Sequence, residues 1–320
     1  FTFFIFFNKI SILLNIFDIP DEDRKFHQKK VAPIGGVLFF INLIFLLFYL
    51  TFGGDFFDAS KTKFLNGNKQ YFSFFLIASL IFLMGILDDK INLSASKKSF
   101  FLIIAIVLSL VDKNIIIEYL NFEFISYHVS LDHFGVFFSI LAIFYFINAL
   151  NMFDGINIQT PLYLLLIFSF LIYKFQIIVI FLLIPSIFFL ILNLLGKCFL
   201  GNSGSYMLGY LISLILIKVN QANPNIITSE EILIILSLPS FELFRLFIER
   251  ILKDKSPFSG DRNHIHHYLN KRFSILMTSL ITNGFIFIPL IVSQFLEIKI
   301  IIFILQLILY FFLIYKLKKI

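Results

Sequence analysis

Cysteine is almost absent from this chain. The single one in 320 residues, Cys198, excludes an intramolecular disulfide and any thiolate-based metal site. Charge is scarce too: Asp, Glu, Lys and Arg make up 14% of the residues, where about a quarter is usual in a soluble domain. No HExxH pattern accompanies the histidines, no internal repeat appears, and no shift in composition marks off a soluble domain. The opening segment 2–17 lacks a small-residue cleavage site and so reads as a first membrane span, not a signal peptide. What is abundant is apolar surface: 59% of residues are hydrophobic and the mean hydropathy is +0.94. One aqueous core cannot hide that much, so the solvent must largely be lipid. The 47 Phe accompany abundant Ile, Lys and Asn, as an AT-rich coding bias would give, and carry no functional weight. The net charge of +6 would suit nucleic acid, but its distribution argues against a nucleic-acid partner.

Apolar runs separated by short polar loops predict an all-α, polytopic transmembrane helix bundle of about eleven spans in a single domain, 1–320. The spans fall near 1–17, 35–52, 71–87, 99–112, 134–150, 161–173, 176–195, 204–219, 231–249, 275–293 and 298–315. Several are shorter than the roughly 20 residues a span needs, so their ends must extend into the loops. Pro185 and Pro239 lie inside spans, where kinks are expected, and Pro161 suits a helix start. Loops on one side of this arrangement hold 17 Lys and Arg and those on the other hold 5. Basic residues accumulate on the cytoplasmic side, so the N-terminus is expected outside and the C-terminus in the cytoplasm, in the cytoplasmic (inner) membrane. The outer loop 113–133 alternates apolar and polar residues, as a small β-hairpin or a surface connector would.

The unusual polar residues all fall in the predicted cytoplasmic loops. Asp88 and Asp89 follow an apolar span directly; adjacent carboxylates there are either solvated charges or the oxygen ligands of a hard cation. Asn148, Asn151 and Asp154 recur every three residues and would stack on one helix face, with Gly155 allowing close backbone approach. "GNSGS", which includes Asn202, Gly204 and Ser205, opens a span where helix amides are free to bind phosphate or simply form a capped turn. His264, His266 and His267, three of the six histidines, share the most basic loop with Asp261 and Arg262. Histidine can shuttle protons, contact phosphate or ligate metal. Arg24, Lys25, His27, Lys29 and Lys30 form a basic stretch that either marks the inside face, attracts anionic lipid or meets substrate. Carboxylates, glycine turns and cations at a lipid–water boundary suit phosphoryl transfer, which is mostly positioning and charge neutralisation.

In this order, "DIPDEDRKFH…PIGG", "DD" after a span, "NALNMFDGIN", "GNSGS" and "HIHH" resemble the motifs of the polyprenyl-phosphate N-acetylhexosamine-1-phosphate transferases, glycosyltransferase family 4. The resemblance runs over about 18–269 and is nearer the N-acetylglucosamine branch than the muramoyl-pentapeptide branch. It implies a UDP-sugar donor, typically UDP-N-acetylglucosamine, and undecaprenyl phosphate as lipid acceptor. Sugar 1-phosphate moves to the lipid and UMP leaves, with Mg2+ required and Mn2+ as a substitute. It assigns Asp88 and Asp89 to metal binding or activation of the lipid phosphate, and Asn151 and Asp154 to the nucleotide-sugar site. The three histidines would contact phosphate or sugar. Asp154 and Asn202 join the implied metal set, and Arg24, Lys25, His27, Asn148, Gly155, Gly204, Ser205 and Arg262 the substrate-binding set. A homodimer is compatible with the sequence.

Three departures stand out. Asn202 replaces the usual metal-ligating Asp and removes one negative charge, so weaker Mg2+ binding or compensation by Asp154 is expected. The segment after "DGIN" reads Ile158-Gln159, where a Gly is common. Glu242 stands where Asp is usual, three residues before Arg245 and able to pair with it. Two other readings remain: a transporter, disfavoured because charges inside the spans are nearly absent, and a catalytically impaired relative with a structural role.

Overall fold

The computed structural model describes residues 9, 11–13, 16, 30–52, 68–125, 127–174, 179–257 and 262–319. The basic stretch with Arg24, Lys25 and His27, most of the first expected span, and Asp261 lie outside them. Among the described residues the fold is all-α but for one hairpin. Its helices are α1 (Gly35–Phe52), α2 (Asn68–Ile91), α3 (Ala95–Ser109), α4 (Phe134–Phe153), α5 (Gln159–Lys174), α6 (Ile180–Leu194), α7 (Gly201–Ala222), α8 (Ser229–Ile251), α9 (Ile265–Asn270), α10 (Ile275–Val292) and α11 (Lys299–Lys318). All but the short α9 coincide with the second to eleventh expected spans. Six of them, α1, α2, α4, α7, α10 and α11, are long and apolar enough to cross a bilayer. The others fall short for identifiable reasons. Helices α3, α5 and α6 have 15, 16 and 15 residues, and α8 carries Glu230, Glu231, Glu242, Arg245, Glu249 and Arg250. Pro185 and Pro239 sit inside continuous helices. Helix α5 starts two residues before Pro161, whose missing N–H then falls harmlessly in the first turn.

Helix α7 is the axis of the bundle. Every residue from Ser203 to Asn220 is buried, and it packs against α1, α2 and α4. Glycines permit the approach: a Cβ on Gly209 would lie 2.8 Å from Ile147 Cα, and one on Gly85 2.3 Å from Ser203 Cα. Small residues at helix contacts are the usual means of tight packing in lipid, where burial of apolar surface gives no net drive. Helix α11 is the opposite case. It buries Ile302, Gln306, Tyr310 and Ile314, one stripe at four-residue spacing, and turns Leu305, Ile308, Leu309 and Phe312 outward, as a lipid-facing helix would.

The alternating loop expected outside is a hairpin, one of the two forms expected for it. β1 (Tyr119–Phe122) pairs antiparallel with β2 (Tyr127–Ser130), with Tyr119 opposite Ser130 and Phe122 opposite Tyr127. Its backbone is tied to the bundle: Gln221 Oε1 accepts from the N–H groups of Glu118 and Tyr119, and Ser229 Oγ accepts from Asn121 N–H.

Candidate active site

At the other end of α7 the polar motifs meet. Ala32 and Cys198 form a parallel bridge. Phe199 N–H donates to Ala32 O (3.1 Å), and the N–H groups of Gly35 and Gly36 donate to Phe199 O and Leu200 O (2.9 and 3.0 Å). This zips the chain entering α1 onto the chain entering α7. A Cβ on Gly36 would lie 2.5 Å from Gly204 N, so those two backbones touch. Gly201 needs to be glycine twice over: its φ is +77°, and a Cβ there would meet Pro33 O at 2.6 Å and Asp89 Oδ2 at 2.9 Å.

Asp88 and Asp89, at the end of α2, are separated in role by their partners. Asp89 accepts the N–H groups of Asn202 (2.8 Å) and Ser203 (3.0 Å), so its charge sits at the positive end of α7. Asp88 is buried; it accepts from Leu93 N–H (2.9 Å) and the Tyr206 hydroxyl (2.9 Å), with Lys98 Nζ at 3.4 Å. The helix amides expected to be open for phosphate are therefore partly occupied by Asp89. Gly204 and Ser205 are buried as well: Gly204 packs against Leu200 and Gly36, and Ser205 Oγ accepts from Asn151 Nδ2 at 2.8 Å.

Asn151 also donates to Asn202 Oδ1 (2.8 Å), linking α4 to α7. Asn148 does not join it; its amide turns back on its own helix to Phe144 O. Asp154 caps α4. Burial pushes its carboxyl up to about 7, and the neighbouring Asp89 charge adds to the shift. The following loop holds Ile158 at φ +72°, a strained backbone for a β-branched residue. Here Asn193 Oδ1 accepts Ile158 N–H (2.7 Å), while its Nδ2 donates to Cys198 O (2.9 Å). One buried asparagine thus pins two motif segments.

The histidine segment reaches the same place. A Cβ on Gly155 would lie 2.3 Å from His266 Nε2, so Gly155 lets the α4–α5 loop lie against the ring. His266 is stacked on His264 (centroids 5.1 Å apart) and edge-on to His267 (4.3 Å). Burial holds the His266 imidazole well below its ordinary pKa, with the two neighbouring histidines adding to the effect. It is therefore neutral at pH 7. Among the described residues its buried Nε2 has no hydrogen-bond partner, and Arg262 is exposed nearby in sequence.

The donor set suits a hard divalent cation. Asp89 and Asp154 are close enough for one charge to raise the other's pKa, and the backbone N–H of Asn202 donates to Asp89 while its side-chain amide oxygen accepts from Asn151. Among the described residues no three His, Cys, Asp or Glu side chains form a metal cluster. Mg2+ does not require one, since it is typically held by one or two carboxylates, with substrate phosphates and water completing its shell.

Sequence reasoning missed Asn193, Tyr206 and Tyr310. Asn193 alone had a signal, a lone amide in the apolar run "FFLILNLL"; the tyrosines look like ordinary span residues.

Fold and site together define a class: an α-helical, multi-pass membrane enzyme with its polar chemistry gathered at one end of the bundle. Residues 71–220 match the family model described as glycosyl transferase family 4. The chain is 28% identical over 286 residues to the undecaprenyl-phosphate alpha-N-acetylglucosaminyl 1-phosphate transferase of Escherichia coli O157:H7, covering 84% of this chain and 73% of that protein. It is 29% identical over 297 residues to the probable undecaprenyl-phosphate N-acetylglucosaminyl 1-phosphate transferase of Bacillus subtilis (strain 168), covering 87% and 77%. A Yersinia pestis protein named as the first is 28% identical over 280 residues, covering 82% and 71%. The chain is similar to glycosyl transferase family 4 over just under half of its length, and it is a multi-pass protein of the inner membrane.

Proposed function

We propose that this enzyme transfers N-acetylhexosamine 1-phosphate, with N-acetylglucosamine the first candidate, from a UDP-sugar to undecaprenyl phosphate at the cytoplasmic membrane face. The observation that carries the reading is the convergence of residues from 32–36, 88–98, 151–158, 201–206 and 264–267 at one end of α7. An oxygen of the lipid phosphate would bond to the phosphorus that carries the sugar. The bond from that phosphorus to the UMP oxygen breaks, and UMP leaves as the phosphate monoester with no net change in protons. Mg2+ bound at Asp89, Asp154 and Asn202 would supply neutralisation of the phosphate charges.

Asp88, fixed by Tyr206 and Lys98, is assigned to orienting the acceptor phosphate. Arg24, Lys25, His27 and Arg262 are assigned to the phosphates of the two substrates. The neutral His266 packs against Gly155 and shapes the wall between the donor's sugar and its phosphates, with His264 and His267 on either side. The same reading puts the N-terminus outside and the C-terminus inside, with the shorter helices α3, α5, α6 and α8 completing an eleven-span bundle.

The test is UMP release by the purified protein with undecaprenyl phosphate, Mg2+ and a panel of UDP-sugars. Release with a UDP-N-acetylhexosamine supports the assignment. No release with any sugar, beside an active family member, would refute it.

A further inference from the structure

Helix α11 lies outside the residues that match the family and carries no motif, yet it reaches the histidine segment through a buried chain of charges. Tyr310 is fully buried. Its hydroxyl donates to Glu242 Oε1 and accepts from Arg245 Nε (2.7 Å). Both partners then hold the histidine loop. Arg245 donates to Asn263 O (2.6 Å). Glu242 Oε2 accepts Ile265 N–H (3.0 Å), at the first turn of α9, and lies 3.6 Å from His264 Nδ1. Glu242 and Arg245 are also bonded to each other at 3.0–3.3 Å. Arg245 pairs with Glu249 at 2.8 Å, and Glu249 with Lys318 at the end of α11.

Each charge in this chain therefore has an opposite partner, as burial demands. The arrangement is costly compared with an apolar contact, and replacing such a network with apolar residues is often neutral or stabilising. A positional role accounts for its presence: the network grips the backbone on both sides of His264 and faces the ring as well.

We propose that Tyr310 is a positioning residue for the histidine segment, acting through Glu242 and Arg245 to hold His264 in place. The functional consequence rests on the transferase reading, but the positional claim does not. Tyr310→Phe removes the hydroxyl and keeps the ring that packs on Phe241 (centroids 5.4 Å). Without the hydroxyl, Glu242 and Arg245 lose their shared partner on α11, and turnover should fall roughly ten- to hundredfold.

The decisive readout is independent of activity. Diethylpyrocarbonate modification of His264, resolved by fragment mass spectrometry, is followed in Tyr310→Phe and in Glu242→Gln, with the exposed His128 of the outer hairpin as internal control. His264 should be modified several-fold faster in both variants, with His128 unchanged. An unchanged His264 rate in either folded variant overturns the proposal, even if turnover falls. If Tyr310→Phe does not fold, the Glu242→Gln result decides. Failure of the wild type to release UMP would instead bear on the reaction and leave the labelling result intact.

Discussion

Replacing Gly155 with alanine tests the meeting of the α4–α5 loop and the histidine segment. The new Cβ would lie 2.3 Å from His266 Nε2 and 2.5 Å from Cε1, where ordinary contacts are 3.4–4 Å. The ring or the loop must therefore give by about 1 Å. The ring has little room, since His266 is 2% exposed and flanked by two other imidazoles. Overpacking of this kind costs about 1–3 kcal/mol, and a displacement near 1 Å at a reacting centre costs roughly 10²-fold in rate. Gly155 is itself exposed, so the loop absorbs part of the clash, and turnover should fall about ten- to hundredfold. The assay is steady-state UMP release in detergent, with thermal unfolding measured in parallel. Gly284→Ala is the control: its Cβ meets only Ile288 Cδ1 at 3.5 Å, so it should leave turnover alone and stabilise α10 by up to ~1 kcal/mol. Adding His266→Ala to Gly155→Ala should restore the melting temperature without restoring turnover. Wild-type turnover in Gly155→Ala would refute the contact.

Asn202→Asp restores a carboxylate beside Asp89 and should lower the half-saturating Mg2+ concentration about tenfold, or ~1.4 kcal/mol, in a metal titration of UMP release; an unchanged midpoint counts against Asn202 as a ligand. Ile158→Gly relieves a left-handed backbone that costs about 1–3 kcal/mol against a glycine entropy penalty of roughly 0.5–1 kcal/mol. The melting temperature should therefore rise slightly, and a fall would show that Ile158 packing outweighs the strain. The carboxyl of Asp154 is raised from 3.8 to about 7 in the fold, so the folded state binds its proton more tightly than the unfolded chain. That contribution to stability is complete below about pH 3.8 and is lost as pH rises through about 7. In metal-free buffer Asp154→Asn should therefore come closest to the wild type at about pH 3.8 and exceed its melting temperature by a growing margin up to pH 8; an equal margin at both would contradict the shift.

Much of this was legible in the sequence because it follows from local rules. Ten apolar runs became helices where expected, and the alternation in 119–130 became a hairpin. The motif residues were legible too, since a carboxylate pair, a "GNSGS" turn and clustered histidines are conspicuous in so apolar a chain. What could not be read is which groups pair across long separations. Asp89 occupies α7 amides 113 and 114 positions away, and Tyr206 reaches Asp88 across 118. Gly204 reads as a phosphate-loop glycine but serves helix packing, because its value lies in the Gly36 backbone beside it. Asn148 and Asn151 share a spacing rule but not a fate: one turns to its own helix and the other to α7.

The measurement that tests the central claim most directly is sidedness. Cys198 is buried and its thiol is held well above the ordinary range by burial, so it contributes little background to maleimide labelling. Lys98→Cys, beside Asp88, and Arg262→Cys, beside His264, would each be probed with a membrane-impermeant maleimide in intact spheroplasts and in inverted vesicles. Both positions should label in inverted vesicles and be protected in spheroplasts. Labelling of the two from opposite faces would mean that the carboxylates and the histidines cannot share one site.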